Sequence, residues 1–258
     1  MIIETWILTF DRPAALNRLI SNFNKQGIIP SVLSNHPDCF IDERNTINDL
    51  VINTLNSKFS NAWTARSWNT MLMKSFEKTV IDGVILIQDD TDIGPNFEEW
   101  FSEAILKFDF ISGPAGDQFF SLKREVLKKV GWFDERYIGA YCADADFFKR
   151  VYLEWDKDRV SIQDSHNWGF NHNVCGLSSH IITELQSKQI GGNYENQHWA
   201  IEKLGPVNKT LLHSQNHYKS KWGHPLDCNQ PCINWPVKLI EDIDWYPWFS
   251  TKYGFTCY

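Results

Sequence analysis

Asp82-Gly83-Val84-Ile85-Leu86-Ile87-Gln88-Asp89-Asp90-Thr91-Asp92 joins an unbroken run of branched apolar residues to a cluster of acids. An apolar run without polar alternation suits a strand covered on both faces, as in the middle of a parallel sheet. The acids then fall at the carboxyl tip of that strand, where open α/β sheets form ligand crevices. Further out, Ile2 to Phe10 is a second β-branched run, stopped by Asp11-Arg12-Pro13. Pro13 suits the first position of a helix, and Leu16, Leu19, Ile20 and Phe23 follow at helical spacing until Gly27. Ile28 to Ser34 reads as the next strand, closed by Asn35-His36-Pro37-Asp38. Strand, helix and strand with short connections make a βαβ unit with a parallel pair.

Downstream, the spacing predicts helices over 61–78, 96–107, 123–130 and 144–153, and a short strand from Phe108 to Ser112. A further strand is expected around Leu50 to Leu55. After about residue 160 the pattern changes. Residues 161–180 read as loop and carry His166, His172 and His180, with helical stretches over 186–203 and 211–218. Twelve tryptophans are the oddest number in the composition, and the last forty residues are rich in Trp and Pro with little periodicity. The expected class is α/β, a mostly parallel Rossmann-type sheet flanked by helices. The expected division is a core over 1–165 and a Trp-rich extension over 166–258 that packs on it.

The composition narrows the function classes. With 258 residues, 43% of them apolar, the chain can bury a full core of its own. The net charge of −7 and pI near 5.6 give no general basic surface for nucleic acid, which leaves room only for a local groove. No apolar run approaches the roughly 20 residues of a membrane helix. Met1 to Trp6 has no basic segment of the kind that opens a signal peptide. A soluble, cytoplasmic protein with its six cysteines reduced is therefore expected, and the sequon Asn208-Lys209-Thr210 reads as a chance match. Cys228 and Cys232 lack the second pair that a structural zinc site requires.

Two acidic units can carry chemistry. Asp89, Asp90 and Asp92 crowd like charges at a strand tip, so a compensating cation is expected there. Oxygen ligands alone suit magnesium or manganese, and the same short turn also suits a cap for the next helix. Asp144 and Asp146 open a helix, whose dipole favours their ionised form. An ionised carboxylate there can serve as a general base or simply cap the helix.

Taken together, these segments resemble the nucleotide-sugar glycosyltransferases of family two type, which have the GT-A fold. Thr9-Phe10-Asp11-Arg12-Pro13 is similar to that family's first-strand segment, and Ile85 to Asp90 running on to Pro95-Asn96-Phe97 is similar to its metal motif. Gly131-Trp132-Phe133-Asp134-Glu135, continued by Asp144-Ala145-Asp146, resembles the segment with the catalytic carboxylate, and Lys219-Ser220-Lys221-Trp222-Gly223 a late K-W-G signature. The resemblance implies a divalent Mn2+ or Mg2+ held by Asp90, with Asp92, His166 and His172 as further ligands. It implies Asp144 as the catalytic base, with Asp146 as the fallback. Thr9, Asp11, Arg12, Asn35, Asp38, Arg66, Asn69, Gln88 and Asp89 would meet the nucleotide-sugar, and Lys221 and Trp222 would cover it from the extension. The implied donor is a uridine diphosphate sugar, the acceptor a glycan or another hydroxyl, and the outcome inversion at the anomeric carbon. Two positions depart from the family pattern: Gln88 stands where it has its first Asp, and Ala143 where it has a Glu. They keep open a non-catalytic carbohydrate-binding protein on a decayed transferase fold. A DNA acceptor carrying hydroxymethylated bases and a nucleotidyltransferase activity also stay open.

Overall fold

The strands are β1 (Ile3–Thr9), β2 (Ser31–Ser34), β3 (Leu50–Ile52), β4 (Gly83–Gln88), β5 (Asp92–Ile93), β6 (Phe110–Gly113), β7 (Gly116–Lys123), β8 (Val160–Ile162) and β9 (Ile181–Ile182). The helices are α1 (Pro13–Lys25), α2 (Thr64–Phe76), α3 (Phe97–Lys107), α4 (Arg124–Val130), α5 (Ala143–Glu154) and α6 (Val207–Trp222). These come from a computed structural model that describes residues 1–10, 12–36, 38–52, 64–113, 116–137, 142–163, 180–182 and 207–226. Seven strands form one sheet in the order β3-β2-β1-β4-β7-β6-β8, and β5 pairs with β9 in a small second sheet.

β1 pairs in parallel with β2 and β4, and β2 with β3. β7 is antiparallel to both β4 and β6, and β8 lies parallel to β6, so β7 alone runs against the rest of that sheet. The mixed α/β class with a mostly parallel sheet flanked by helices is thus the observed one. Register sets Leu8 opposite Gln88 and Thr9 opposite Ser34, which brings the tips of β1, β2 and β4 to one edge.

Alternation along the strands divides the core into two layers. Trp6, Leu8, Val84 and Leu86 face α2, α4, α5 and α6, with Trp68, Phe147, Phe148, Tyr218 and Trp222 in the same cluster. Ile7, Ile85 and Ile87 face α1 and α3, with Leu19, Phe23, Phe97 and Phe101. This two-sided burial is why the β4 segment has no polar alternation. Ring packing fixes the first layer, with Phe133 stacked on Phe147 at 4.0 Å and Trp68 edge-on to Phe120 at 5.0 Å. α1 starts at Pro13 and stops where Gly27 takes φ +75°. There the Gly27 amide donates to Asn24 and the Ile28 amide to Phe23, closing the end of the helix.

Four strands, β5, β7, β8 and β9, differ from the sequence expectation. The pattern before α4 announces no strand, because Phe119 and Phe120 of β7 are both buried, on opposite faces, and show no alternation. β8 replaces the start of the expected loop at residues 161 and 162. β5 is too short to leave a periodic signal of its own. The expected helix over 186–203 and the Pro-rich end of the chain lie outside the described residues. Cys39 and Cys142, the two cysteines within them, form no disulfide. Among the described residues no helix is long and apolar enough to cross a membrane.

Asp109 staples the far side of the sheet. Its carboxylate accepts from Lys123 at 2.7 Å, from Arg159 at 2.6 and 2.9 Å, and from the Trp155 indole at 3.2 Å. Burial opposes its ionisation, yet Arg159 and Lys123 prevail and hold its pKa at about 2. A depressed carboxylate contributes stability above its unfolded pKa of about 4, and that stability is lost as pH falls through the folded value. Asp109→Asn is expected to destabilise the protein by about 1–2 kcal/mol at neutral pH, since solvent screens the partly exposed Arg159, and by much less at about pH 2. Urea denaturation at the two pH values checks this, and an equal loss at both would refute it.

Candidate functional site

The tips of β1 and β4 meet at Asp89. Its amide donates to the Leu8 carbonyl, extending the β1–β4 ladder by one residue. The Thr9 hydroxyl donates to its carboxylate at 2.5 Å. Asp89 is only 4% exposed. Burial pushes its pKa up to about 7, assisted by Asp90 and opposed by Arg12 and Thr9. Arg12, just ahead of α1, places one guanidinium nitrogen 3.3 Å from Asp90 and 3.5 Å from Asp89. Oδ1 of Asp90 is buried and has no hydrogen-bond partner. The structure therefore brings Thr9, Arg12, Asp89 and Asp90 together, with Gln88 half-buried at the end of β4.

Asn35, at the tip of β2, donates its amide to the Thr9 carbonyl and pairs its side chain with the Ser67 hydroxyl at 3.0 Å. It thereby ties β2 to α2. Asp38 lines a crevice with Thr9, Arg12, Pro13, Ser34 and Phe40, of about 10 Å³. That is one water's worth of space, so a nucleobase enters only if the exposed Phe40 ring moves. Asp11, His166 and His172 lie outside the described residues.

Other expected positions are placed elsewhere. Asp92 turns to α1, where it meets Arg18 at 2.9 Å and Asn22 at 2.7 Å and accepts from the Ile93 amide. Its expected part in a metal set with Asp90 is thus replaced by an ion pair. Among the described residues no three His, Cys, Asp or Glu side chains cluster as a ligand set. Asn69 brackets the loop before α5, donating to the Phe133 carbonyl and Glu135 and accepting from the Phe133 amide. Arg66, 5% exposed, lies in the electrostatic range of Glu135, whose pKa burial raises to about 8. Lys221 and Trp222 do not cover the crevice. They are 3% and 0% exposed and point into the interior.

There they complete a buried polar knot. The Lys221 ammonium lies 3.0 Å from Asp134 and 2.8 Å from Asp146. The Trp222 indole donates to Asp146 at 2.9 Å, Arg150 reaches the same carboxylate at 3.1 Å, and Tyr137 donates at 3.3 Å. Arg136 grips Asp134 through two nitrogens at 2.8 and 2.7 Å, with His217 at 3.2 Å. Burial works against both carboxylates, but Lys221 and the arginines outweigh it and hold both pKa values below the usual range. Asp146 is thus a structural anchor of α5. Asp144 sits in the same first turn and is 8% exposed. The residue before α5, Cys142, has φ +70°, a left-handed conformation that only Gly adopts without strain. Beside the knot, Lys149 donates to Nε2 of His224 at 2.7 Å, whose Nδ1 donates to the Pro225 carbonyl.

Sequence reasoning missed two residues at this end of the sheet. Gln118 on β7 and Gln163 after β8 each keep a buried side-chain oxygen with no hydrogen-bond partner. Thr91 donates to the Gln118 carbonyl at 3.3 Å, which puts Gln118 beside the turn that follows β4. Nothing local marks either residue, because their positions follow from strand pairing with β4 and β6.

No family model matches the chain, and no curated protein does. Among solved structures, the 1–349 fragment of S. aureus TarS is 14% identical with a TM-score of 0.47, covering 85% of this chain and 72% of that one. The longer S. aureus TarS chain is 13% identical with a TM-score of 0.46, covering 70% of this chain, which spans 36% of its length. A197 from STIV is 14% identical with a TM-score of 0.36, covering 62% of this chain and 80% of that one. At these values the likenesses name no family and carry no argument for the site.

Proposed function

We propose that the chain is a glycosyltransferase that binds a nucleotide-sugar at the tips of β1 and β4. The observation that carries this reading is Asp90, whose buried Oδ1 lacks a partner beside Asp89, Thr9 and Arg12. An unpartnered buried carboxylate oxygen is costly unless a ligand completes it. The order of motifs in the sequence, which resembles nucleotide-sugar transferases, supplies the ligand class. The donor set fits a hard divalent cation such as Mn2+ or Mg2+: Asp90 and Asp89 would hold it, and Gln88 adds a carbonyl without charge. Such an ion would neutralise charge on a departing nucleoside diphosphate.

In this reading Thr9 fixes Asp89, and Arg12 supplies a positive charge for the phosphates. Asp144 takes the proton of the acceptor hydroxyl, and one base with one in-line displacement inverts the anomeric carbon. The donor is a uridine diphosphate sugar and the acceptor a glycan or another hydroxyl, the chain's charge of −7 being unfavourable to DNA. The extension after residue 166 would complete the acceptor site.

The test is a thermal-shift panel of nucleotide-sugars with and without Mn2+. A ligand at 100 times its dissociation constant stabilises by about 2.7 kcal/mol, a readily measured shift. Asp90→Ala is expected to remove the Mn2+-dependent part of that shift while leaving the unliganded melting curve cooperative. An Asp90→Ala protein with unchanged Mn2+ and nucleotide affinity would overturn the assignment.

A further inference from the structure

We infer that Arg12 is a resident counter-cation which a divalent metal displaces from Asp89 and Asp90, and that its guanidinium then takes the diphosphate of the donor. The inference rests on the proposed function and adds how this site exchanges one cation for another. Arg12 meets its carboxylates differently from other arginines of the molecule.

Arg136 grips Asp134 through two nitrogens at 2.8 and 2.7 Å, and Arg159 grips Asp109 at 2.9 and 2.6 Å. The exposed Arg44 does the same to Asp42 at 3.0 and 2.6 Å. These are forks, the strong form of the contact. Arg12 instead divides one nitrogen between two carboxylates, at 3.3 and 3.5 Å. Both distances exceed the usual 2.7–2.9 Å or so of a charge-assisted hydrogen bond. The contact leaves Oδ1 of Asp90 buried and unpartnered although a guanidinium lies alongside.

A divalent ion would be the stronger partner. Its oxygen ligands sit at about 2.0–2.6 Å, and it carries twice the charge. With Coulomb energy scaling as charge over distance, its attraction to Asp90 exceeds that of Arg12 by roughly two- to threefold at equal dielectric. The two cations would repel each other over the same pair of carboxylates. Only the side chain of Arg12 has to move, because its carbonyl is fixed by the Leu16 amide and Pro13 follows it at the start of α1. Arg12 already lines the crevice shared with Thr9, Ser34 and Asp38. A planar fork released there matches the oxygen pairs of a diphosphate better than a lysine would. Metal and diphosphate should consequently bind with positive coupling: the metal frees Arg12, and the diphosphate holds it in its new place.

Calorimetry on the full chain tests this with Mn2+ alone, then with uridine diphosphate in the presence and absence of Mn2+. Arg12→Gln removes the competitor and the fork together. It is expected to bind Mn2+ alone about fivefold or more tightly than wild type, and uridine diphosphate at saturating Mn2+ about tenfold more weakly. Arg12→Lys keeps the charge and loses the fork, so its Mn2+ affinity should stay within about threefold of wild type while uridine diphosphate binding weakens. Should Arg12→Gln fail to fold, Arg12→Lys decides, and unchanged uridine diphosphate affinity in it overturns the inference. An Arg12→Gln protein that binds Mn2+ no tighter than wild type also overturns it. Uridine diphosphate binding that ignores Mn2+ altogether removes the exchange yet leaves the transferase reading in place. Failure of every nucleotide-sugar in the thermal-shift panel removes that reading itself.

Discussion

Lys221→Met is expected to destabilise the protein by about 3 kcal/mol, the low end of what removing one partner of a buried ion pair costs. The ammonium lies between two carboxylates that are both fully buried, Asp134 at 3.0 Å and Asp146 at 2.8 Å. Methionine fills a similar volume, so no cavity accounts for the loss. Arg136 and Arg150 remain in place, each with its own carboxylate, which keeps the figure from rising further. Adding Asp146→Asn to Lys221→Met removes the stranded charge and should recover part of the loss, a coupling that a double-mutant cycle in urea reads directly. Simple additivity of the two substitutions would show that the knot is not held as a unit.

The knot also marks where local sequence patterns stop being informative. Asp146 and Arg150 are a turn apart on one helix, a spacing that can be recognised locally. Lys221 reaches the same carboxylate from a distant part of the chain, and no pattern within α6 announces that its last turn plugs into α5. From sequence, a Lys-Trp pair late in the chain suits a lid over the donor, whereas the fold uses it as an anchor. Asp92 misleads for a similar reason. In sequence it is one more acid beside Asp89 and Asp90, but the turn at Thr91 and the short strand β5 point it at Arg18 and Asn22 on α1. By contrast, β1, α1, β2 and β4 are legible because each is a local pattern: a branched apolar run, a proline start with helical spacing, a glycine stop. β7 is not, since an antiparallel insertion in a parallel sheet is specified by its neighbours.

The two acids that open α5 are expected to divide their roles. Successive helical residues turn by about 100°, so Asp144 and Asp146 project roughly 200° apart and cannot readily share one task. Asp146 is fully buried and bonded to Lys221, Trp222, Arg150 and Tyr137. Burial and the nearby carboxylates raise the pKa of Tyr137 well above its usual value, so it stays protonated as a donor to Asp146. A carboxylate so enclosed has no path to an acceptor hydroxyl. In the proposed transferase the base is therefore Asp144, 8% exposed in the same first turn, where the start of the helix favours an ionised carboxylate. Asp144→Asn is therefore expected to leave donor binding and the melting temperature near wild type and to lower turnover by about 10²-fold or more, the scale of a lost general base. Turnover is followed as release of nucleoside diphosphate from whichever donor the thermal-shift panel selects. Asp146→Asn should do the reverse, lowering stability first and turnover only in proportion to the protein unfolded. If Asp146→Asn is stable but inactive while Asp144→Asn turns over normally, the anchor and the base have exchanged places, and Lys221 with Trp222 would then belong to the chemistry.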